Sequence, residues 1–491
     1  VSDTRDLGLI LDSKIAVVVI ESADERRVLA LLLQFAMQRG LPFDEWSVTR
    51  GLRRGGLVGN GTDEIKLTEA CDVLQHIGST PGPALYALCD IHPFLANDPK
   101  TIRLIKDIAH DYDHLGNTLV LVSHALTIPP ELGRLTATFN LRLPSDDELL
   151  SMVRKQAQEW SRLHQGRKVS TDNKTLDKLI ANLRGVTHSD AQILIRRAVF
   201  ADGVISDTDI PEINKLKFEL LDAEGVLHYE YDTESFANVA GLDNLKAWLR
   251  LRQNDFLKPT GPDRPKGLLL LGVQGSGKSI AAKSVAGSFG VPLLRLDFGT
   301  LYNKYFGETE RNLRNSLRQA ELMAPCVLWL DEIEKGIATG DSDNATSKRV
   351  LATLLTWMAE NKHPVFIVAT SNDIAELPPE LVRKGRMDEI FFVDLPDATT
   401  RKEIFRIHLK KRGIDPAPFD LDELASHSDG FTGAEIEEAI VSARYVSASH
   451  QSNVASEDVL AALNRTYPMS VLRADVVQSL RAWAKDRTVP A

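Results

Sequence analysis

The sequence predicts an α/β protein made of two related modules in tandem, each a mainly parallel sheet sandwiched by helices and followed by a helical segment. Three observations point there. Apolar runs of strand length alternate with helix-length stretches along all 491 residues, the pattern of parallel sheets with helical crossovers. The length suits two to four domains of ordinary size. Five segments of the first half reappear in the second half in the same order.

The repeat is carried by short matches. Residues 16–20 resemble 268–271, 85–90 resemble 327–331, and 119–124 resemble 366–372. Residues 139–144 resemble 391–396, and Gly185-Val186-Thr187 with Asp190 resembles Gly430-Phe431-Thr432 with Glu435. Apolar strands look alike, so one match carries little. Five in order at a nearly constant separation indicate an internal repeat. The expected organisation is an α/β domain over 1–144, a helical lid-like segment over 145–225 and a linker over 226–235. A second α/β domain then covers 236–396, and a lid with C-terminal helices covers 397–491. The linker is placed where Tyr229-Glu230-Tyr231-Asp232 interrupts the apolar periodicity.

Bulk composition narrows the function classes. Hydrophobic residues make up 43% and charged residues 26% of the chain, with a net charge of −10. The acidic balance argues against a dedicated nucleic-acid binder, because phosphate contacts need clustered Lys and Arg. No apolar run approaches the roughly 18 residues of a membrane span. The start lacks a basic region followed by an apolar core, so no secretory leader is expected. Cys71, Cys89 and Cys326 fit no zinc spacing and suggest a reducing compartment.

The strongest chemical signal is Gly272-Val273-Gln274-Gly275-Ser276-Gly277-Lys278-Ser279. It fits GxxxxGK[ST], follows an apolar run, and precedes a helix-compatible stretch opening at Ile280. Glycines let backbone N–H groups turn toward phosphates, and the helix N-terminus adds partial positive charge. Lys278 can neutralise the β- and γ-phosphates of ATP, and the Ser279 hydroxyl can ligate Mg²⁺. Further on, Cys326-Val327-Leu328-Trp329-Leu330-Asp331-Glu332 reads as a buried parallel strand delivering two carboxylates at its end. Asp331 would hold Mg²⁺, and Glu332 would polarise the attacking water. A third run, 365–369, ends in Thr370-Ser371-Asn372, whose amide could position the same water.

With these three strands, residues 236–440 resemble the AAA+ ATPases, in particular the AAA clade of unfoldases and remodelling machines. Phe236-Ala237-Asn238-Val239-Ala240-Gly241-Leu242 is similar to the clade's adenine-side entry segment. The resemblance implies nucleotide contacts from Val239, Ala240 and Gly241. Residues 378–388 resemble its second region of homology, which implies that Arg383 and Arg386 reach the γ-phosphate of a neighbouring subunit. Tyr305-Phe306-Gly307-Glu308 resembles the pore loop that grips an extended polypeptide in a hexameric channel. Residues 430–435 resemble the lid motif, in which Gly433 and Ala434 approach the nucleotide. The implied partners are further copies of the chain, most simply a six-membered ring, and a protein client. The absence of HExxH excludes a fused zinc protease of the membrane-bound AAA type.

The first half departs from this pattern. After residues 17–20 come Glu21-Ser22-Ala23-Asp24-Glu25, with no glycine loop and no lysine. Asp90 is followed by Ile91-His92, so no acid pair exists, and His124 stands at the place of Asn372. A degenerate module ahead of an intact one resembles the bacterial and plastid AAA family named as a hypothetical chloroplast reading frame, as do Met469-Ser470-Val471 and residues 480–485. That family implies bacterial cytoplasm or plastid stroma. The expected function is an ATP-driven protein-remodelling motor. The alternative is a nucleotide-dependent switch whose degenerate half binds a partner.

Overall fold

A computed structural model describes residues 2–55, 67–96, 98–221, 226–231, 239–258, 264–302, 309–337, 344–374, 377–381, 383 and 385–491. Tyr305, Phe306 and Gly307, read as the pore loop, lie outside the described residues, as do Phe236, Ala237 and Asn238. Contacts divide the chain into two compact units. One is Val1–Arg154 with Val186–Arg196, and the other is Lys155–Gly185 with Arg197–Ala491.

The first unit is built on a six-stranded sheet. Its strands are β1 (Val17–Glu21), β2 (Phe43–Ser47), β3 (Gly51–Arg54), β4 (Leu85–Cys89), β5 (Thr118–Ser123) and β6 (Thr136–Phe139). Their order is β3-β2-β4-β5-β1-β6, parallel throughout except for the β2–β3 hairpin. The central strands are apolar along most of their length because helices cover both faces. Alternation still sorts the side chains: Val17 and Val19 enter one core, Val18 and Ile20 the other.

The second unit contains a seven-stranded sheet. Its strands are β7 (Leu227–Glu230), β8 (Gly267–Gly272), β9 (Leu293–Asp297), β10 (Cys326–Asp331), β11 (Val365–Ser371), β12 (Glu389–Val393) and β13 (Val489–Pro490). The order is β13-β12-β8-β11-β10-β9-β7. Leu269, Leu294, Leu296, Leu328 and Leu330 fill the core on one face. Leu268, Leu270, Leu293, Val327 and Trp329 fill the other. Read from the opposite edge, β9-β10-β11-β8-β12 repeats β2-β4-β5-β1-β6, so the expected tandem α/β class is present in both sheets.

Register aligns the two sheets residue by residue. Glu21 faces Ser123 as Leu271 faces Ser371. Cys89 faces Val122, and Leu330 faces Ala369. Equating Ser123 with Ser371 therefore puts Cys89 at the place of Asp331 and Asp90 at the place of Glu332. Sequence matching alone pairs Asp90 with Asp331, one residue away. Backbone conformation supports the register, since Asp90 (φ 54°) and Glu332 (φ 47°) share the left-handed region, uncommon for residues other than glycine. His124 falls on Asn372, as the sequence suggested.

Two segments differ from expectation. Leu227–Glu230, read as part of a linker, forms the edge strand β7 antiparallel to β9. Four residues are too few for periodicity to register, yet Leu227 is buried and Tyr229 packs against the core beneath. The C-terminal segment is helical over Ala398–Lys411, Leu421–His427, Gly433–Ser449, Ser456–Asn464 and Ala474–Ala484. It then returns to the sheet as β13, parallel to β12.

The strand that carries the phosphate loop is tightly confined. A Cβ on Gly267 would sit 2.2 Å from the Ile367 carbonyl oxygen, and its φ of 155° is strained for other residues. Gly267→Ala is expected to cost about 1–3 kcal/mol, read as a lower denaturant midpoint for the full chain. An unchanged midpoint would show that the strand yields at this point.

Candidate active site

β8 ends at Gly272, and the chain turns through residues 273–277 into the helix Lys278–Phe289. The turn requires glycine: Gly275 has φ 78° and Gly277 φ 102°. Gly277 is also the helix N-cap and supplies no side-chain cap. The first amides of the helix therefore remain open to an anion. The Ser276 hydroxyl is buried without a partner among the described residues. Such an orphaned donor suits a phosphate oxygen.

Lys278 is 6% exposed, and its Nζ donates to the carbonyls of Gly272 and Val273, both at 2.8 Å. Burial pushes its pKa down to about 8, opposed by the carboxylates of Glu334, Asp331 and Glu332. An incompletely neutralised ammonium in a dry site attracts negative charge.

The acids come from β10. Asp331 Oδ1 accepts from Thr370 Oγ1 at 2.9 Å, and Oδ2 pairs with Arg295 Nη2 at 2.9 Å. Glu332 follows in the left-handed conformation and aims along the strand edge. Its Oε1 accepts from Asn372 Nδ2 at 3.2 Å, and its other oxygen pairs with Lys335. Glu334 is buried and accepts from the Asn372 amide at 3.0 Å, while its Oε2 has no partner among the described residues. Three adjacent strands thus place Lys278, Asp331, Glu332 and Asn372 at one carboxyl edge, the usual ligand position in a parallel sheet.

A second helix N-terminus arrives from the C-terminal helical segment. Thr432 and Glu435 form a capping box on Gly433–Ser449: Thr432 Oγ1 accepts the Glu435 amide, and Glu435 Oε2 accepts the Thr432 amide at 2.7 Å. Ala434 N–H donates to the Gly275 carbonyl at 3.4 Å.

These groups line one cavity of about 660 Å³, within the usual range for a small-molecule site. Its wall contains Val239, Ala240, Gly241, Gln274, Gly275, Ser276, Gly277, Lys278, Ser279, Ile280, Asp331, Glu332, Asn372, Gly433 and Ala434. Gly272 lies beneath it as an acceptor for Lys278. Arg383 and Arg386 do not line it. Arg383 is exposed, and one Arg386 Nη1 is buried without a partner among the described residues. The sequence reading missed several wall residues: Thr370, Ile404, Ile407, His408, Glu437 and the terminal Pro490-Ala491. It also missed Arg295, whose guanidinium lies 5.0 Å from the Trp329 ring centre while pairing with Asp331. Burial raises the Glu437 pKa, but its bond from Arg412 and the nearby charge of His408 bring it below the ordinary value.

Comparison with known proteins agrees with this geometry. Residues 268–395 match the family described as ATPase family associated with various cellular activities (AAA). Residues 3–141 match the SpoVK-like AAA ATPase N-terminal domain, and 147–224 its second domain. The chain is 32% identical to the AAA domain-containing protein ycf46 of Guillardia theta, over 98% of this chain and 95% of that one. It is also 32% identical to ycf46 of Pyropia yezoensis, over 98% of each. The ATP-dependent zinc metalloprotease FtsH 2 of Bdellovibrio bacteriovorus is 34% identical over 47% of this chain and 40% of its own. The chain belongs to the AAA ATPase family. Within it, the chain has the SpoVK-like N-terminal domains and groups with the ycf46 proteins.

Lys278→Ala removes the charge around which the loop is organised. Charge-assisted contacts are worth about 1.5–3 kcal/mol each, so ATP affinity should fall at least about tenfold in a calorimetric titration. Wild-type affinity in the variant would remove the loop from the binding site.

Proposed function

We propose that this chain is a Mg²⁺-dependent ATP hydrolase that works as an oligomer, most simply a hexamer, to remodel or thread a protein client. The observation that carries the reading is the cavity itself. An uncapped helix N-terminus, a buried lysine, two strand-end carboxylates and an amide converge there, in a chain of the AAA family.

The residues present suit the ligand. The loop amides, Ser276 and Lys278 would hold the phosphates, while Val239, Ala240 and Gly241 would border the base. Ser279 and Asp331 would hold Mg²⁺, which supplies charge neutralisation between the phosphate oxygens. Glu332 is the base: its carboxylate takes the proton of a water that Asn372 orients. The lid contributes Gly433 and Ala434 at the tip of its helix and excludes bulk water when it packs on the loop. Arg383 and Arg386, absent from their own chain's cavity wall, are assigned to the nucleotide of a neighbouring subunit. Arg295 pairs with Asp331 and Lys335 with Glu332, which offsets the charge of the two acids.

The N-terminal module is proposed to lack ATPase activity. The helix Glu25–Arg39 is capped by Asp24, which accepts from the Arg27 amide. The same carboxylate accepts from Ser189 Oγ at 2.8 Å and the Ser189 amide at 3.3 Å. An anion of the chain itself thus occupies the position a phosphate would need. A docking role for a client or for neighbouring subunits suits this module. The likeness to plastid ycf46 proteins supports plastid stroma as the setting, with a bacterial cytoplasm as the alternative.

Glu332→Gln keeps the side-chain shape but removes the base. It should retain ATP binding while phosphate release falls by about 10²-fold or more; hydrolysis at the wild-type rate would assign the base elsewhere. An arginine supplied in trans is worth about 10³–10⁵ in rate. Arg386→Ala and Lys278→Ala chains should each be inactive alone and regain part of the activity when co-assembled. Absence of recovery in proven mixed assemblies would place the arginine's action within its own chain.

A further inference from the structure

The degenerate module carries a second chemical cluster, at the edge where the other module holds its acids. Asp90 follows β4, His92 opens the next short helix, and His124 follows β5. One donor atom from each lies within 4.8 Å of the others. We propose that Asp90, His92 and His124 bind a divalent transition-metal ion such as Zn²⁺ at the carboxyl edge of the N-terminal sheet.

The hydrogen bonding prepares these groups for a metal. Ser123, only 3% exposed, donates its hydroxyl proton toward Asp90 Oδ1 at 3.4 Å. Ser123 Oγ also lies 2.7 Å from His92 Nδ1, a hydrogen bond whose direction follows the ring tautomer. When Nδ1–H donates to the hydroxyl, the lone pair on His92 Nε2 is available to a metal. Fixing a ligating imidazole through its other nitrogen is the recurrent support of metal sites. The His124 ring lies edge-on to His92, with centres 4.9 Å apart at 88°. Asp90 is held by its left-handed backbone and by its amide, which donates to the Val122 carbonyl at 2.9 Å. Among the described residues no lysine or arginine pairs with it.

Donor chemistry selects the ion. Two imidazoles and a carboxylate suit Zn²⁺, Fe²⁺, Co²⁺ or Ni²⁺, whereas Mg²⁺ and Ca²⁺ prefer oxygen. Metal–nitrogen distances of about 2.0–2.1 Å require the donors to close on one another. Asp90 and His124 are exposed, so small side-chain rotations achieve this without moving the strands. Register adds the functional sense. Asp90 stands where the other module has Glu332, and His124 where it has Asn372. The same backbone edge thus presents ligands for a softer ion in place of the acid and amide, with positions left for water or a partner's side chain.

The test uses the full chain, stripped with a chelator and held in excess Mg²⁺ so that the oxygen-rich ATP site is saturated. Zn²⁺ titration and Co²⁺ absorption spectra should reveal one stoichiometric site with a Kd of about 10 μM or tighter. His92→Ala and His124→Ala should each weaken it at least tenfold and change the Co²⁺ spectrum. Ser123→Ala, which keeps all three ligands, should weaken it by about 10–100-fold through loss of the hydroxyl that holds the His92 ring and Asp90. A paired His110→Ala, His114→Ala variant, altered at exposed positions of the same module, should bind as the wild type does. No stoichiometric site, or equal affinity in all these variants, overturns the proposal. Unfolding midpoints measured in chelator verify that each variant is folded.

Discussion

The confinement of β8 fixes everything that happens at the phosphate loop. Its two ends are glycines because neighbouring carbonyls leave no room: a Cβ on Gly272 would lie 2.1 Å from the Val393 oxygen, as one on Gly267 would crowd Ile367. Between them Leu268 and Leu270 enter one core, Leu269 the other, and Leu271 packs with Phe392, Leu480 and Ala484. The strand can neither slide nor tilt without breaking both sheet contacts and core. The carbonyls of Gly272 and Val273 are thereby held where they accept from Lys278. A buried ammonium is costly unless hydrogen-bonded. The clamp on β8 is thus what lets a lysine remain buried and available.

The phosphate loop was legible in the sequence because each of its residues carries its chemistry locally: glycine for the turn, lysine for charge, serine for the metal. The acid pair was legible only beside the phosphate loop, because carboxylates at a strand end are commonly mere caps. Register was legible only to within one residue, since apolar strands constrain phase weakly. That is why apolar matching pairs Asp90 with Asp331, while the sheet register puts it at the place of Glu332. Arg295 and Glu334 left no sequence signal, because their partners, Asp331 and the Asn372 amide, come from other parts of the sheet. His408 and Glu437 sit on lid helices whose periodicity reports burial and not which cavity lies beyond. The strands β7 and β13 are too short for any period to appear.

Electrostatic balance ties the site's parts together. Asp331, Glu332 and Glu334 gather within one edge and would repel one another if left alone. Arg295, Lys335 and Lys278 offset them, and Thr370 and Asn372 donate hydrogen bonds to the remaining lone pairs. The arrangement is densely charged yet nearly neutral, which suits a site that must accept a polyanion with its cation. A neutral apolar cavity would have no such capacity, and an uncompensated acidic one would repel the ligand.

The two modules share strand order, register and the left-handed backbone after β4 and β10, but differ in what satisfies their helix N-termini. In the C-terminal module Gly277 leaves the first amides open. In the N-terminal module Asp24 fills that place, and Ser189 on the following helical segment binds the same carboxylate. A capped terminus gains about 1 kcal/mol of stability on its own, whereas an open one gains only when an anion arrives. One module therefore has its stabilising anion built into the chain, and the other depends on a ligand to supply it. That difference needs no change of fold, which is why the same sheet stands beside a loop with neither the glycines nor the lysine.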